Sequence, residues 1–149
     1  WPSAEVTNID HYVARGLEGR LVLRDVGPMS LHVSGSWQDV GRYTRQNPVA
    51  KLVAGLSGGH DIGRHFVGGR LDAEWVHGLY MANYGRDPID DVVGLDMSLR
   101  YRYTFDNPDI RIEPYLVMRN LLNRQDAYLE GYPLPGFHVM AGLQLGVGR

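Results

Sequence analysis

The side chains able to do chemistry form three groups. The largest is a set of interleaved charges: Glu18, Arg20 and Arg24; Arg70, Asp72 and Glu74; Asp96, Arg100 and Arg102; Arg111, Glu113 and Arg119. Within each stretch the members stand an even number of residues apart, so on an extended chain they share one face. Lys51 is the only lysine, and the planar fork of arginine suits carboxylates and backbone carbonyls. The chemistry this predicts is cross-strand ion pairing and the gripping of a polar partner. A second group, Tyr84, Arg86, Tyr128 and Tyr132, falls in long links between apolar stretches, where aromatic and guanidinium groups are candidates for ligand contact. The third group is the histidines. Only His60 and His65 lie close in sequence, and a metal site needs three or four convergent ligands, so they are read as turn or wall residues and no metal is assigned. The chain has no G-x-S-x-G elbow and no H-E-x-x-H, and the glycines between Gly55 and Gly69 lack the Lys-Ser/Thr of a phosphate loop. Neither an enzyme, a cofactor nor a nucleic-acid partner is expected.

The elements that position these groups are strands. From Gly136 on, Phe137, Val139, Ala141, Leu143, Leu145 and Val147 alternate with small or polar residues. The same alternation returns in Met29, Leu31, Val33, Gly35 and Trp37, and in Val93 through Phe105. Strict period two places one greasy and one wet face on each strand. Seven strand-like segments are predicted, roughly Val13–Arg24, Met29–Tyr43, Ala50–Gly58, Phe66–Tyr80, Val92–Phe105, Ile110–Asn123 and Phe137–Val147. Each reaches the ~9–11 residues that a tilted strand needs to cross a bilayer.

A length of 149 residues with a net charge of −2 and a mean hydropathy of −0.27 also suits an ordinary soluble domain. Membrane barrels show only every second strand residue to lipid, however, and look polar on average. No apolar run approaches the ~20 residues of a spanning helix, and cysteine is absent. Asp25-Val26-Gly27-Pro28, Gly59–His65 and Asp106–Asp109 read as tight turns, whereas Thr44–Val49, Met81–Asp90 and Arg124–Pro135 read as the links at the other end, the last two longer. Short turns face the periplasm and long loops face outside in outer-membrane barrels. Trp37, Trp75, Tyr80, Tyr101, Tyr103 and Phe105 stand near strand ends, as an interfacial girdle does. The fold class is thus all-β: an antiparallel transmembrane β-barrel segment of about seven strands, residues 1–149, incomplete as a barrel alone because bacterial barrels close with an even number of strands.

Two motifs carry a family resemblance. Asn8-Ile9-Asp10 with Ala14-Arg15-Gly16-Leu17-Glu18, and Asn120-Leu121-Leu122-Asn123 with Tyr128 and then Gly131-Tyr132-Pro133-Leu134-Pro135-Gly136, resemble the barrel of TonB-dependent outer-membrane receptors and its closing signature. The likeness spans essentially the whole chain and corresponds to the last third or so of such a barrel. It departs at Phe137, where the family usually has Arg, and at Gly148-Arg149, where the family ends on an aromatic residue. It implies location in the outer membrane of a Gram-negative bacterium and contact with outer-membrane lipid. It implies uptake of a large scarce nutrient such as a ferric siderophore. It further implies remaining strands and a plug on another chain or an upstream segment, and TonB contacted through that plug. The charged set Glu18, Arg20, Arg70, Asp72, Glu74, Asp96, Arg100, Arg102 and Arg119 would then face the lumen and the plug. A second reading is a receptor-derived structural subunit or docking element of an outer-membrane assembly, without transport. A soluble lipocalin-like barrel would turn its apolar groups inward and is disfavoured by the density of charges on the other face.

Overall fold

The computed structural model describes residues 13–39, 49–79, 88–106, 109–129 and 132–147. Seven long strands form one sheet: β1 (Arg15–Val26), β2 (Met29–Asp39), β3 (Ala50–Ile62), β4 (His65–His77), β5 (Val92–Asp106), β6 (Asp109–Arg119) and β9 (His138–Val147). Between β6 and β9 a small hairpin intervenes, β7 (Ala127–Leu129) with β8 (Tyr132–Pro133). Every long strand pairs antiparallel with the next along the chain, in the order β1-β2-β3-β4-β5-β6-β9, and the sheet does not close on itself. Strictly consecutive pairing is what tight turns between alternating strands produce.

The register carries the alternation across the whole sheet. At one level Leu23 faces Leu31, Leu31 faces Leu56, Leu56 faces Leu71 and Leu71 faces Met97, while Met97 faces Met118 and Met118 faces Val139. Because neighbours directly opposite share a face, every apolar set joins one continuous face. The parallel row Ser30, Ser57, Arg70 and Ser98 lies on the other. A slip of one residue in any pair would mix the two faces.

Almost nothing is buried. Among the described residues only Val76, Leu79 and Val92 form a buried apolar cluster, with Ile89 and Leu134 packed against it, under the loops at one end. Across the apolar face Leu71, Leu99 and Leu143 stay 39%, 44% and 59% exposed. A sheet ordinarily hides its hydrophobic face against a second layer; the described residues supply none.

Several expectations are corrected. The turn expected over Gly59–His65 is shorter than that stretch. β3 continues to Ile62, which pairs with His65, and only Gly63 and Arg64 make the bend, Gly63 at φ +60°. The glycines Gly59 and Gly68 make room instead, for the Phe66 ring lies where their side chains would stand. The sixth strand ends at Arg119 rather than Asn123, because Asn120 and Asn123 adopt φ of +52° and +50°, a left-handed conformation that stops a strand. Leu79, which shares the parity of Leu71 and Trp75 within the segment expected over Phe66–Tyr80, belongs instead to the buried cluster beyond β4. Val40 to Tyr43, Tyr80 and the motif Asn8-Ile9-Asp10 lie outside the described residues.

Candidate functional site

The polar face is a ladder of opposite charges built by five neighbouring strands. Toward the loop end, Lys51 on β3 meets Glu74 on β4 at 2.5 Å, and Arg119 on β6 reaches Asp96 on β5 at 2.5 Å. In the middle, Arg70 donates two hydrogen bonds to Asp72, 2.6 and 2.7 Å, and Asp72 stands 3.6 Å from His32 on β2. Toward the turn end, Arg102 bonds Asp61, Arg64 pairs with Asp106, and the guanidinium groups of Arg100 and Arg102 lie 5.0 and 4.7 Å from the Phe66 ring centre. The side chains are partly open to solvent, so each pair contributes little alone. Their value is orientation, since the ladder holds the polar face in one arrangement.

The loop-end rim is organised by two asparagines. The Asn120 side chain donates to the carbonyls of Arg124 (2.7 Å) and Pro135 (2.9 Å) and accepts from the Arg124 N–H. Asn123 accepts from the Phe137 N–H at 2.9 Å. Asp96 accepts from the Asn120 N–H, and Asp126 accepts from the Val93 N–H and from Arg124. Asparagine tolerates the left-handed backbone and bonds nearby main chain, so the Asn-Leu-Leu-Asn stretch works as a clasp that folds the link back onto β5. Partial burial pushes the Asp126 carboxyl up, but the bonds from Arg124 and the Val93 N–H outweigh it and hold the group below its ordinary value. Burial, then the Glu74 carboxylate, pushes the Tyr128 phenol above its ordinary value.

A cleft of about 300 Å³ opens beneath this clasp and brings together Glu74, Asp96, Arg119 and Tyr128, all predicted from sequence, with Asn120 and His138. A neighbouring cleft of about 410 Å³ links the same carboxylates to Arg70 and Asp72. The structure thus joins Arg70, Asp72, Glu74, Asp96, Arg119 and Tyr128. It sets Arg100 and Arg102 apart at the turn end, and Arg20 beside His32 and Arg70 in a third cleft. Glu18 stands on the same face of β1, opposite Ser36. Tyr132 is 72% exposed on β8. Tyr84 and Arg86 lie outside the described residues.

The apolar face has its own polar ends. At the loop end Trp75 stacks on His77 (5.5 Å), and Asp91 accepts from Trp75 Nε1 and bonds His77 Nδ1 at 3.0 and 2.7 Å; Trp37 lies at the same end, half exposed. At the turn end His65 bonds the Tyr101 hydroxyl at 2.5 Å, and Tyr103 packs edge-on against Phe105. Sequence reasoning missed Asp91, His77 and His65 in these belts. Their signal was a polar residue at apolar parity beside an aromatic one.

Comparison of the chain with protein-family models, curated proteins and solved structures finds no match.

Proposed function

We propose that this chain is part of the wall of an outer-membrane barrel of the TonB-dependent receptor kind, serving uptake of a large scarce nutrient such as a ferric siderophore. The observation that carries the reading is the height of the apolar face between its two aromatic belts. From His65 to Trp75 along β4 is ten residues, about 33 Å at the usual rise per residue. A strand tilted by about 40° spans about 25 Å of that along the normal, the height of the apolar band in outer-membrane barrels. Between the belts the side chains are Val67, Leu71 and Ala73 on β4 and Leu95, Met97 and Leu99 on β5, uninterrupted by charge. Soluble monomers rarely expose an apolar patch beyond a few hundred Å².

The two open edges belong to the same reading. An unpaired strand edge in hydrocarbon costs several kcal/mol per polar group, so β1 and β9 are completed by strands from the rest of the assembly, with a plug against the charged wall. The ion-paired polar face supports this, because a large transporter lumen is filled rather than empty. Receptor identity itself rests on the motif resemblance. Extraction from native membranes in mild detergent, followed by mass spectrometry of what co-purifies, tests it. Companion strands together with a plug segment, on this or another polypeptide, are expected. Recovery from the aqueous fraction without detergent would reject the membrane reading, and recovery from membranes without any plug would reject the receptor.

A further inference from the structure

The polar face pairs most of its charges but leaves three arginines over. Cations meet carboxylates toward both ends: Lys51 meets Glu74, Arg119 meets Asp96 and Arg124 meets Asp126 toward the loops, and Arg102 meets Asp61 and Arg64 meets Asp106 toward the turns. Arg20, Arg24 and Arg100 have no carboxylate partner among the described residues. These three arginines surround a row that runs straight across four strands, with Ser30 opposite Ser57, Ser57 opposite Arg70 and Arg70 opposite Ser98. Two clefts flank the row and share Ser30, Ser57 and Arg70. One, of about 450 Å³, also takes in Ser98 and Arg100. The other, of about 220 Å³, takes in Arg20, Arg24 and His32.

The donor supply at this row exceeds what the protein uses. Each guanidinium carries five N–H donors and no acceptor, and each serine adds a hydroxyl. Arg100 is held over the Phe66 ring, 5.0 Å from its centre, a contact that uses none of its N–H donors for a carboxylate. Arg70 is already bound by Asp72, so it frames the row without adding a full free charge. A single carboxylate ligand would neutralise one of three unmatched charges. A phosphate group offers more acceptor oxygens and up to two negative charges, the better match to several arginines and hydroxyls at once.

We propose that the Ser30–Ser57–Arg70–Ser98 row, flanked by Arg20, Arg24 and Arg100, is a binding site for a phosphate-class oxyanion. It lies one cross-strand pair to the turn side of the Asp72 row, away from the clasped rim, and is independent of whether the chain serves transport.

The test is isothermal titration of the protein in mild detergent with inorganic phosphate, pyrophosphate, a sugar phosphate monoester and citrate, at low and moderate salt. Saturable binding of a phosphate species that weakens as salt rises is expected. Whichever of free phosphate or monoester binds more tightly identifies the source of the group. Arg100→Gln and Arg20→Gln together are expected to weaken binding at least tenfold, with Arg100→Lys recovering part of the loss. Lys51→Gln, at a cation already paired with Glu74 and outside both clefts, is expected to leave binding unchanged. Far-ultraviolet circular dichroism and the melting temperature of each variant separate loss of the site from loss of the fold. Absence of saturable phosphate binding would overturn the proposal, as would binding indifferent to the arginine variants. Tighter binding of citrate than of every phosphate species would overturn the assigned chemistry.

Discussion

On the apolar face, Leu31, Leu56, Leu71, Met97 and Val139 stand in cross-strand rows with none of the described residues laid over them. On the polar face of the same strands, Lys51, Asp72, Glu74, Asp96 and Arg119 each have a specific partner. One side is continuous and unspecific, the other discrete and oriented. A protein in water does the reverse, hiding the continuous apolar surface and leaving its charges solvated. On the proposed reading, each face is matched to a different medium. Hydrocarbon asks only for the absence of charge, whereas a hydrated wall needs its charges fixed by one another. The folding information therefore lies in the backbone ladder and in parity, and hardly at all in a packed core.

The sharpest way to break the contrast is to move a charge from one face to the other. Leu71→Arg, near the middle of the apolar band, is expected to destabilise the protein by about 2–4 kcal/mol in lipid, measured as a lower denaturant midpoint of the reconstituted protein. The next largest effect is expected at the clasp. Asn120→Ala removes bonds to Arg124 and Pro135 and strands a left-handed residue without its side chain. A loss of about 1–3 kcal/mol, confined to residues 120–137, should appear as faster amide exchange there than in β4. Arg119→Gln on the polar face is expected to cost less than about 1 kcal/mol, since its pair with Asp96 is partly exposed. Equal costs for Leu71→Arg and Arg119→Gln would erase the distinction between faces.

The smallest effect sharpens the belt. Hydrogen bonds from His77 and then Trp75 hold the Asp91 carboxyl below its ordinary value. A carboxyl whose folded pKa is depressed contributes stability that is present above the unfolded value and lost as pH falls through the folded one. The Trp75–His77–Asp91 anchor is thus expected to persist through neutral and mildly acidic pH and to release only below about pH 3.9. Trp75 emission, followed in a variant with Trp1 and Trp37 both replaced by Phe, reads that release. A transition centred above pH 5 would show that the carboxylate is not what holds the belt.

How far the sequence carries this account follows from what local pattern encodes. Parity is legible because side chains alternate every residue whatever the partner strand, so the charges from Arg70 to Glu74 and the apolar run from Val93 to Phe105 could be assigned to faces at once. Close approach between strands is not local. Gly59 reads as punctuation, yet it belongs to β3 because Phe66, from the next strand, occupies its empty side-chain position. The end of β6 is hidden for a related reason. Leu121 and Leu122 continue the apolar character, and only the bonds of Asn120 to residues up to fifteen positions away turn the chain aside. The clefts were legible as a set of charged residues but not as a grouping, since register decides that Arg119 meets Asp96 while Arg100 meets Phe66.

The central claim is that one face of this sheet meets hydrocarbon and the other meets water. Single cysteines placed in turn at residues 67 to 75 of β4, spin-labelled and reconstituted in lipid, test it most directly through accessibility to oxygen and to a water-soluble nickel chelate. The account predicts a strict alternation: oxygen-rich signals at Val67, Gly69, Leu71 and Ala73, chelate-rich signals at Gly68, Arg70, Asp72 and Glu74, with the oxygen signal strongest near Leu71. Chelate access equal at both parities, or oxygen-rich signals at Arg70 and Asp72, would contradict it.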